Sequence, residues 1–300
     1  MPGVTFSVCP GPVIPVGSCV DSASSFVHGG HQYACWETGE GPDLLLIHGF
    51  PTSSWDWAAL WGPLSWHFRL HAMDMLGFGL SDKPRGHRYL IADQAEAYAA
   101  LLRARGVHEV HLLVHDYGCT VGQELLARAA EGSLEGITIK SIVFLNGGLF
   151  PHAHRPRPIQ KLMAGPLGPL IARFMSRRSF GKSFSAIFGP DTQPTDEELD
   201  AYWSLICTED GVKVIPALLD YMAQRRANEA RWTDPIKTPA VPMRLINGLE
   251  DPVSGRHLLE EFARLIPDAD VVPLEGVGHY PQVEAPREVF RAVMDFHRTL

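Results

Sequence analysis

The sequence has no C-x-x-C pair; its five cysteines, Cys9, Cys19, Cys35, Cys119 and Cys207, are odd in number and widely spaced. That argues against a disulfide framework and against a zinc site, and reduced thiols in a cytoplasmic protein are the expectation. There is no Lys or Arg before Arg69, so the N-terminus offers neither the positive flank of a secretory signal nor the Arg-rich face of a transit peptide. No apolar run approaches the length of a membrane span. Positive charge is scarce as well: 26 Lys+Arg stand against 34 Asp+Glu, a formal net charge of −8. A nucleic-acid partner is excluded on that balance, and a small uncharged organic molecule is the better expectation.

What is present is a chain of 300 residues, 45% hydrophobic and 20% charged, enough for a large core in one domain with an insertion or in two modest domains. Residues 1–24 are rich in Pro, Gly, Ser and Val without periodicity and read as a loosely ordered lead-in. Beyond them, strands are expected at Gln32–Glu37, Leu44–His48, Leu70–Met73, Val110–Val114, Ile139–Leu145, Met243–Ile246 and Val271–Pro273. Helices are expected at Trp55–Trp66, Ala92–Arg105, Cys119–Glu131, Gly255–Leu265 and Pro286–Leu300. Short β-rich runs separated by helical ones call for a mostly parallel sheet flanked by helices on both faces.

The alternation stops between Phe150 and about Pro239. Gln160–Arg178, Asp196–Thr208 and Lys213–Arg225 read as helices, the middle one with a capping box in Thr195-Asp196-Glu197-Glu198. This divides the chain into a core of residues 25–149 and 240–300 and a helical cap of residues 150–239. Acid is missing from Gly136 to Pro190, where Lys140, Arg155, Arg157, Lys161, Arg173, Arg177, Arg178 and Lys182 stand without an Asp or Glu. A solvated basic surface is the ordinary reading of such a run, and a weak membrane-surface contact through Leu167–Phe188 is the alternative.

The chemistry centres on Leu112-Leu113-Val114-His115-Asp116-Tyr117-Gly118-Cys119-Thr120, a strand that runs into a sharp turn and then a helix. That is the layout of a nucleophile elbow with Asp116 in place of the usual serine. A carboxylate attacking an acyl carbon gives only a labile anhydride, whereas displacement at saturated carbon leaves an ordinary ester on the enzyme, which points to epoxide opening or carbon–halogen cleavage. The turn His48-Gly49-Phe50-Pro51 after an early strand supplies Phe50 as one oxyanion N–H, and Tyr117 supplies the other. Gly276-Val277-Gly278-His279 presents a loop histidine, and Glu250-Asp251-Pro252 offers an acid after a strand. Asp251 is preferred to Glu250 because the Asp-Pro pair fixes a turn. Asp74-Met75-Leu76-Gly77-Phe78-Gly79-Leu80-Ser81 lacks the third glycine of a phosphate loop and reads as a structural turn. His152 and His154 have no third ligand nearby, so no metal and no cofactor are expected.

On these residues the chain resembles the α/β-hydrolases of the epoxide hydrolase and haloalkane dehalogenase branch. The resemblance rests on His48-Gly49-Phe50-Pro51, Asp74-x-x-Gly77-x-Gly79-x-Ser81, His115-Asp116-Tyr117-Gly118 and Gly278-His279, and it covers the chain from about Phe26. Within the branch, Gly77-Phe78-Gly79-Leu80-Ser81-Asp82-Lys83-Pro84, Asn146-Gly147-Gly148 and His279-Tyr280-Pro281-Gln282 resemble the mesoderm-specific transcript-like proteins. The resemblance implies an α/β-hydrolase fold with the cap inserted after the sixth strand, and a triad of Asp116, His279 and Asp251. Dehalogenases of the branch hold halide with an Asn after His-Gly and a Trp after the nucleophile, where this chain has Phe50 and Tyr117; Trp203 in the cap is the one candidate to replace a donor. Epoxide hydrolases carry Phe at the Phe50 position and use two cap tyrosines as proton donors, here Tyr221 and Tyr202. The expected activity is therefore epoxide hydrolysis of a small apolar substrate with water. Haloalkane dehalogenation is the first alternative and a non-catalytic ligand-binding protein the second. Self-association as a homodimer stays open.

Overall fold

The computed structural model describes residues 16–300. Eight strands form one sheet: β1 (Ser24–His28), β2 (His31–Thr38), β3 (Asp43–Ile47), β4 (Arg69–Met73), β5 (Glu109–His115), β6 (Thr138–Leu145), β7 (Met243–Gly248) and β8 (Val271–Leu274). Their order across the sheet is β1-β2-β4-β3-β5-β6-β7-β8. The β1–β2 and β2–β4 pairs are antiparallel and the rest parallel.

Leu44-Leu45-Leu46-Ile47 in β3 shows why the parallel strands are apolar throughout. Leu45 and Ile47 enter one core cluster with Leu112, Val114 and Phe144, while Leu44 and Leu46 enter the other with Leu113, Val143 and Leu145. Side chains alternate across the sheet with a period of two, and helices cover both faces, so neither set can be polar.

Strand β1 was not expected. Its Ser24, Ser25 and Val27 are exposed, which leaves almost no apolar alternation to detect. The signal lay in the turn: Gly29 and Gly30, both at positive φ, close a two-residue hairpin that pairs His28 with His31. The expected loose lead-in lies partly outside the described residues, and from Val16 to Asp21 the chain is a short helix rather than a loose segment. Cys19 in that helix accepts a hydrogen bond from Trp36 Nε1 at 2.8 Å.

The cap follows β6, the sixth strand, and is entirely helical. The single helix expected at Gln160–Arg178 is three: Pro158–Met163, Gly168–Arg173 and Arg177–Ser185. Pro166 and Pro169 have no amide hydrogen to continue a helix, and the chain doubles back so tightly that a Cβ on Gly168 would lie 2.0 Å from the Met163 carbonyl oxygen. Asp196–Cys207 forms with its Thr195/Glu198 capping box in place. Lys213–Arg225 is divided into Ile215–Leu218 and Tyr221–Ala227. A further helix, Glu229–Lys237, was not expected because Pro235 lies inside it. Gln224 fastens the cap to the core, accepting from the Ile91 N–H at 2.9 Å and donating to the Tyr89 carbonyl at 2.9 Å. Among the described residues no helix is long and apolar enough to cross a membrane.

Candidate active site

Asp116 sits between β5 and the helix Tyr117–Ala130 with φ 46° and ψ −108°, a conformation that non-glycine residues rarely adopt and that costs about 1–3 kcal/mol. The surroundings impose it. Gly118 has no room for a side chain, since a Cβ there would lie 2.4 Å from the Ile47 carbonyl oxygen, so helix and neighbouring strand approach until the elbow stands proud between them.

The Phe50 N–H donates to Asp116 Oδ2 at 3.0 Å. Tyr117 opens the helix, and the amides of a helix's first turn lack partners within the helix. His48 holds the Phe50 turn from behind: its Nδ1 lies 2.9 Å from the Gly49 carbonyl oxygen, and its Nε2 accepts from the Met75 N–H at 3.0 Å, as the neutral Nδ1–H tautomer requires. Burial lowers the His48 pKa, which keeps that tautomer.

His279 Nε2 lies 3.7 Å from Asp116 Oδ1, and its Nδ1 lies 2.7 Å from Asp251 Oδ2. Asp251 is buried and held in place by Ser254 Oγ at 2.7 Å, the Ser254 N–H at 3.0 Å, the Val253 N–H at 2.7 Å and Asn146 Nδ2 at 3.1 Å. Glu250 is exposed. Burial pushes the Asp116 carboxyl up, but the His279 hydrogen bond and charge, the His115 ring and the Phe50 N–H outweigh it and leave it well below the usual carboxylate range. Burial works against a charged His279, yet Asp251 and Asp116 together raise its pKa well above the ordinary histidine value. Asp251→Asn is expected to lower turnover by about 10⁴, the loss seen when a triad histidine is left in the wrong tautomer, while Glu250→Gln leaves it intact; steady-state rates of the two variants check the assignment.

What clamps the histidine loop was not legible in the residues. Glu284 accepts from the N–H groups of Gly278 at 2.8 Å, Tyr280 at 2.8 Å and the cap residue Gly189 at 2.7 Å. The His279 N–H donates to the cap carbonyl of Ile187 at 2.8 Å, and His115 Nε2 lies 2.8 Å from the His279 carbonyl oxygen. Cap and histidine loop are thus one hydrogen-bonded unit. An acid five positions after a loop histidine has no sequence signature.

Above the elbow is a cavity of about 440 Å³ with Asp116 and His279 in its wall. The rest of the lining is mostly apolar, with Phe50, Met163, Phe174, Phe180, Phe184 and Leu219 among it and Arg157 and Gln160 among its few polar groups. Of the expected cap donors, Tyr221 is the one placed near the elbow. It is buried, with ring centroids 6.3 Å from Phe50 and 5.1 Å from Tyr117. Burial and the Asp116 charge raise its pKa, and Arg225 opposes them.

Tyr202 and Trp203 are placed farther from the elbow. Tyr202 is buried between Trp55 and Phe184, with ring centroids 4.7 Å and 4.9 Å away, and burial and the Asp56 charge raise its pKa. Trp203 stacks on Phe180 at 5.6 Å; neither Tyr202 nor Trp203 lines the cavity, nor does Tyr221, which differs from them in packing on Phe50 and Tyr117. Apolar positions of a helix are legible in sequence, but which apolar face meets the cavity and which meets the rest of the cap is decided by packing.

Arg225 was also missed. It is buried, its guanidinium lies where a Cβ on Gly148 would be, and its Nη2 has no hydrogen-bond partner among the described residues. His154, the neighbour of the guanidinium, is pushed down to about 3 by burial and by the Arg225 charge. His152 turns the other way, with Nε2 2.6 Å from Glu261, so the two do not converge on one site. Asp74 is a turn brace, its carboxylate accepting from the Ser54 N–H at 2.7 Å and the Leu80 N–H at 2.8 Å.

Fold and site together define a class. The chain matches the model of the Alpha/beta hydrolase family over residues 44–292 and belongs to that family. It is 41% identical over 273 residues to the mesoderm-specific transcript protein of Mus musculus, covering 89% of this chain and 82% of that one. It is 28% identical over 273 residues to the cis-3-alkyl-4-alkyloxetan-2-one decarboxylase of Shewanella oneidensis, covering 86% of this chain and 82% of that one. The haloalkane dehalogenase DatA from Agrobacterium tumefaciens C58 shares the fold, with a TM-score of 0.76 at 22% identity over 93% of this chain and 97% of that one.

Proposed function

We propose that the protein hydrolyses apolar epoxides to diols through an ester on Asp116. The observation that carries this reading is the carboxylate at the elbow, one oxygen on the Phe50 N–H and the other facing His279, in the wall of a mostly apolar cavity. Asp116 Oδ1 attacks a ring carbon, the carbon–oxygen bond breaks, and the departing oxygen takes the Tyr221 proton. Water then attacks the ester carbonyl and gives a proton to His279, which Asp251 orients. The Phe50 and Tyr117 N–H groups hold the oxyanion. Collapse releases the diol, the second product oxygen taking its proton from His279, and the remaining proton of the attacking water passes from Asp116 to the Tyr221 phenolate, which restores the Asp116 carboxylate and the phenol. No step calls on a cofactor.

Dehalogenation has weaker support. The side chains at positions 50 and 117 offer no N–H to a halide, and Trp203 is packed behind Phe180. A non-catalytic binding protein has no need of the Asp251-His279 hydrogen bond at 2.7 Å. The relative named an oxetanone decarboxylase supports a strained oxygen ring as substrate, because the same carboxylate can open either ring at saturated carbon. Incubation with styrene oxide, butyl bromide and a dialkyl oxetanone separates these readings. Diol from the first is expected; bromide release without diol assigns dehalogenation, carbon dioxide from the third assigns the larger ring, and no product from folded protein assigns a binding role.

A further inference from the structure

Eight large apolar side chains are exposed among the described residues, and five of them fall within residues 159–174: Ile159, Leu162, Leu167, Leu170 and Phe174, the last 75% exposed. Single exposed apolar residues are normal on any surface, but a cluster on adjoining helices marks an interaction site. These five lie on or beside the short cap helices Pro158–Met163 and Gly168–Arg173. Ile159 and Phe174 also line the cavity that holds Asp116 and His279, so the apolar surface continues inward to the site.

The segment that carries this patch has charge of one sign. Lys161, Arg173, Arg178 and Lys182 are exposed and have no ion-pair partner among the described residues, and no acid occurs from Gly136 to Pro190. Arg177, by contrast, is tied to Asp196 and Asp200 across the cap. A merely solvated basic face gives no reason for five bared apolar side chains among its cations. Apolar residues rimmed by unpaired Lys and Arg are the composition of surfaces that lie in a lipid headgroup layer. A second copy of the chain fits less well, because two such faces brought together would set cation against cation.

We propose that this face of the cap docks on an anionic lipid surface and that the cavity takes its apolar substrate from the bilayer beside Ile159 and Phe174. The attraction is local, since the chain as a whole carries −8. Each cation near an anionic leaflet contributes about 1 kcal/mol, and the inserted apolar side chains add to it. Docking is independent of the reaction assigned above; only the delivery of substrate rests on that reading.

The test uses the full chain with vesicles of phosphatidylcholine, alone and with phosphatidylglycerol added, read by flotation at low and high salt. Binding to the anionic vesicles is expected to be tighter by about tenfold or more and to weaken as salt rises. The pairs Leu162→Glu with Leu170→Glu, and Lys161→Glu with Arg173→Glu, are expected to abolish it without lowering the melting temperature or the turnover of a short water-soluble epoxide. Equal binding to both vesicle types, no binding, or unaffected binding by both pairs overturns the proposal. So does concentration-dependent dimerisation that the leucine pair removes, which would assign the face to a second copy. Vesicle binding is measured without turnover, so its failure is distinct from failure of the epoxide reading.

Discussion

Replacing His279 with Gln is expected to stop the protein halfway through its cycle, with the substrate's carbon skeleton esterified to the peptide that contains Asp116. Displacement needs only the carboxylate and a proton for the departing oxygen, and neither comes from the imidazole. Release of the ester needs a base for water, and that base is His279, within 3.7 Å of the carboxylate. Loss of a triad histidine lowers turnover by about 10³ or more, so intact-mass measurement after brief exposure to styrene oxide should find the adduct at near stoichiometry in the variant and only fleetingly in the wild type. Asp116→Ala should carry no adduct. Adduct on another peptide, or undiminished turnover of the His279 variant, would remove the mechanism.

The electrostatics add a pH signature. Asp116 is held well below the usual carboxylate range, so the attacking form persists in acid. His279 is raised by two carboxylates, and esterification neutralises one of them, which lowers the proton affinity of the ring at the step where it must be neutral. Ester release therefore slows as pH falls through the His279 pKa of the esterified enzyme, while ester formation continues. Wild-type protein at acidic pH should accumulate the adduct that the His279 variant shows at neutral pH.

How much of this could be read from residues alone follows from how local each signal is. The parallel strands were legible because burial on both faces makes runs such as Leu44–Ile47 apolar throughout. Asp116, Phe50 and Tyr117 were legible because a strand, a tight turn and a helix are consecutive in sequence. Asp251 could be chosen over Glu250 only by its proline neighbour, whereas in three dimensions four hydrogen-bond donors besides His279 converge on it. The cap resisted. Its helices are amphipathic with two packed faces, so Tyr202 and Tyr221 look alike in sequence, and only the fold packs one on Trp55 and Phe184 and the other on Phe50 and Tyr117. Arg225 and Glu284 act across distances that no motif spans.

Tyr221→Phe is expected to lower epoxide turnover by about 10²-fold or more, the range of a lost general acid. An opening epoxide develops charge on an oxygen of high proton affinity and needs a donor, whereas a departing halide is weakly basic. In the resting protein burial and the Asp116 carboxylate make Tyr221 a poor acid, with Arg225, 6.0 Å from its ring centroid, pulling the other way. Esterification removes the Asp116 charge and leaves the buried Arg225 guanidinium as the dominant charge beside the phenol. Tyr221 becomes more acidic as the ring oxygen becomes basic, and Arg225→Met, which keeps an apolar stem, should weaken that donation while leaving the fold intact. Tyr202→Phe should leave turnover close to wild type, because that ring packs on Trp55 and Phe184, whereas the Tyr221 ring packs on Phe50 and Tyr117 beside the elbow. Diol formation by each variant, with folding checked by thermal melt, decides between the two tyrosines. Unchanged diol formation by Tyr221→Phe would take the proton donor out of the cap. Bromide release from butyl bromide without diol from styrene oxide would transfer the assignment to dehalogenation, since a departing halide needs no proton.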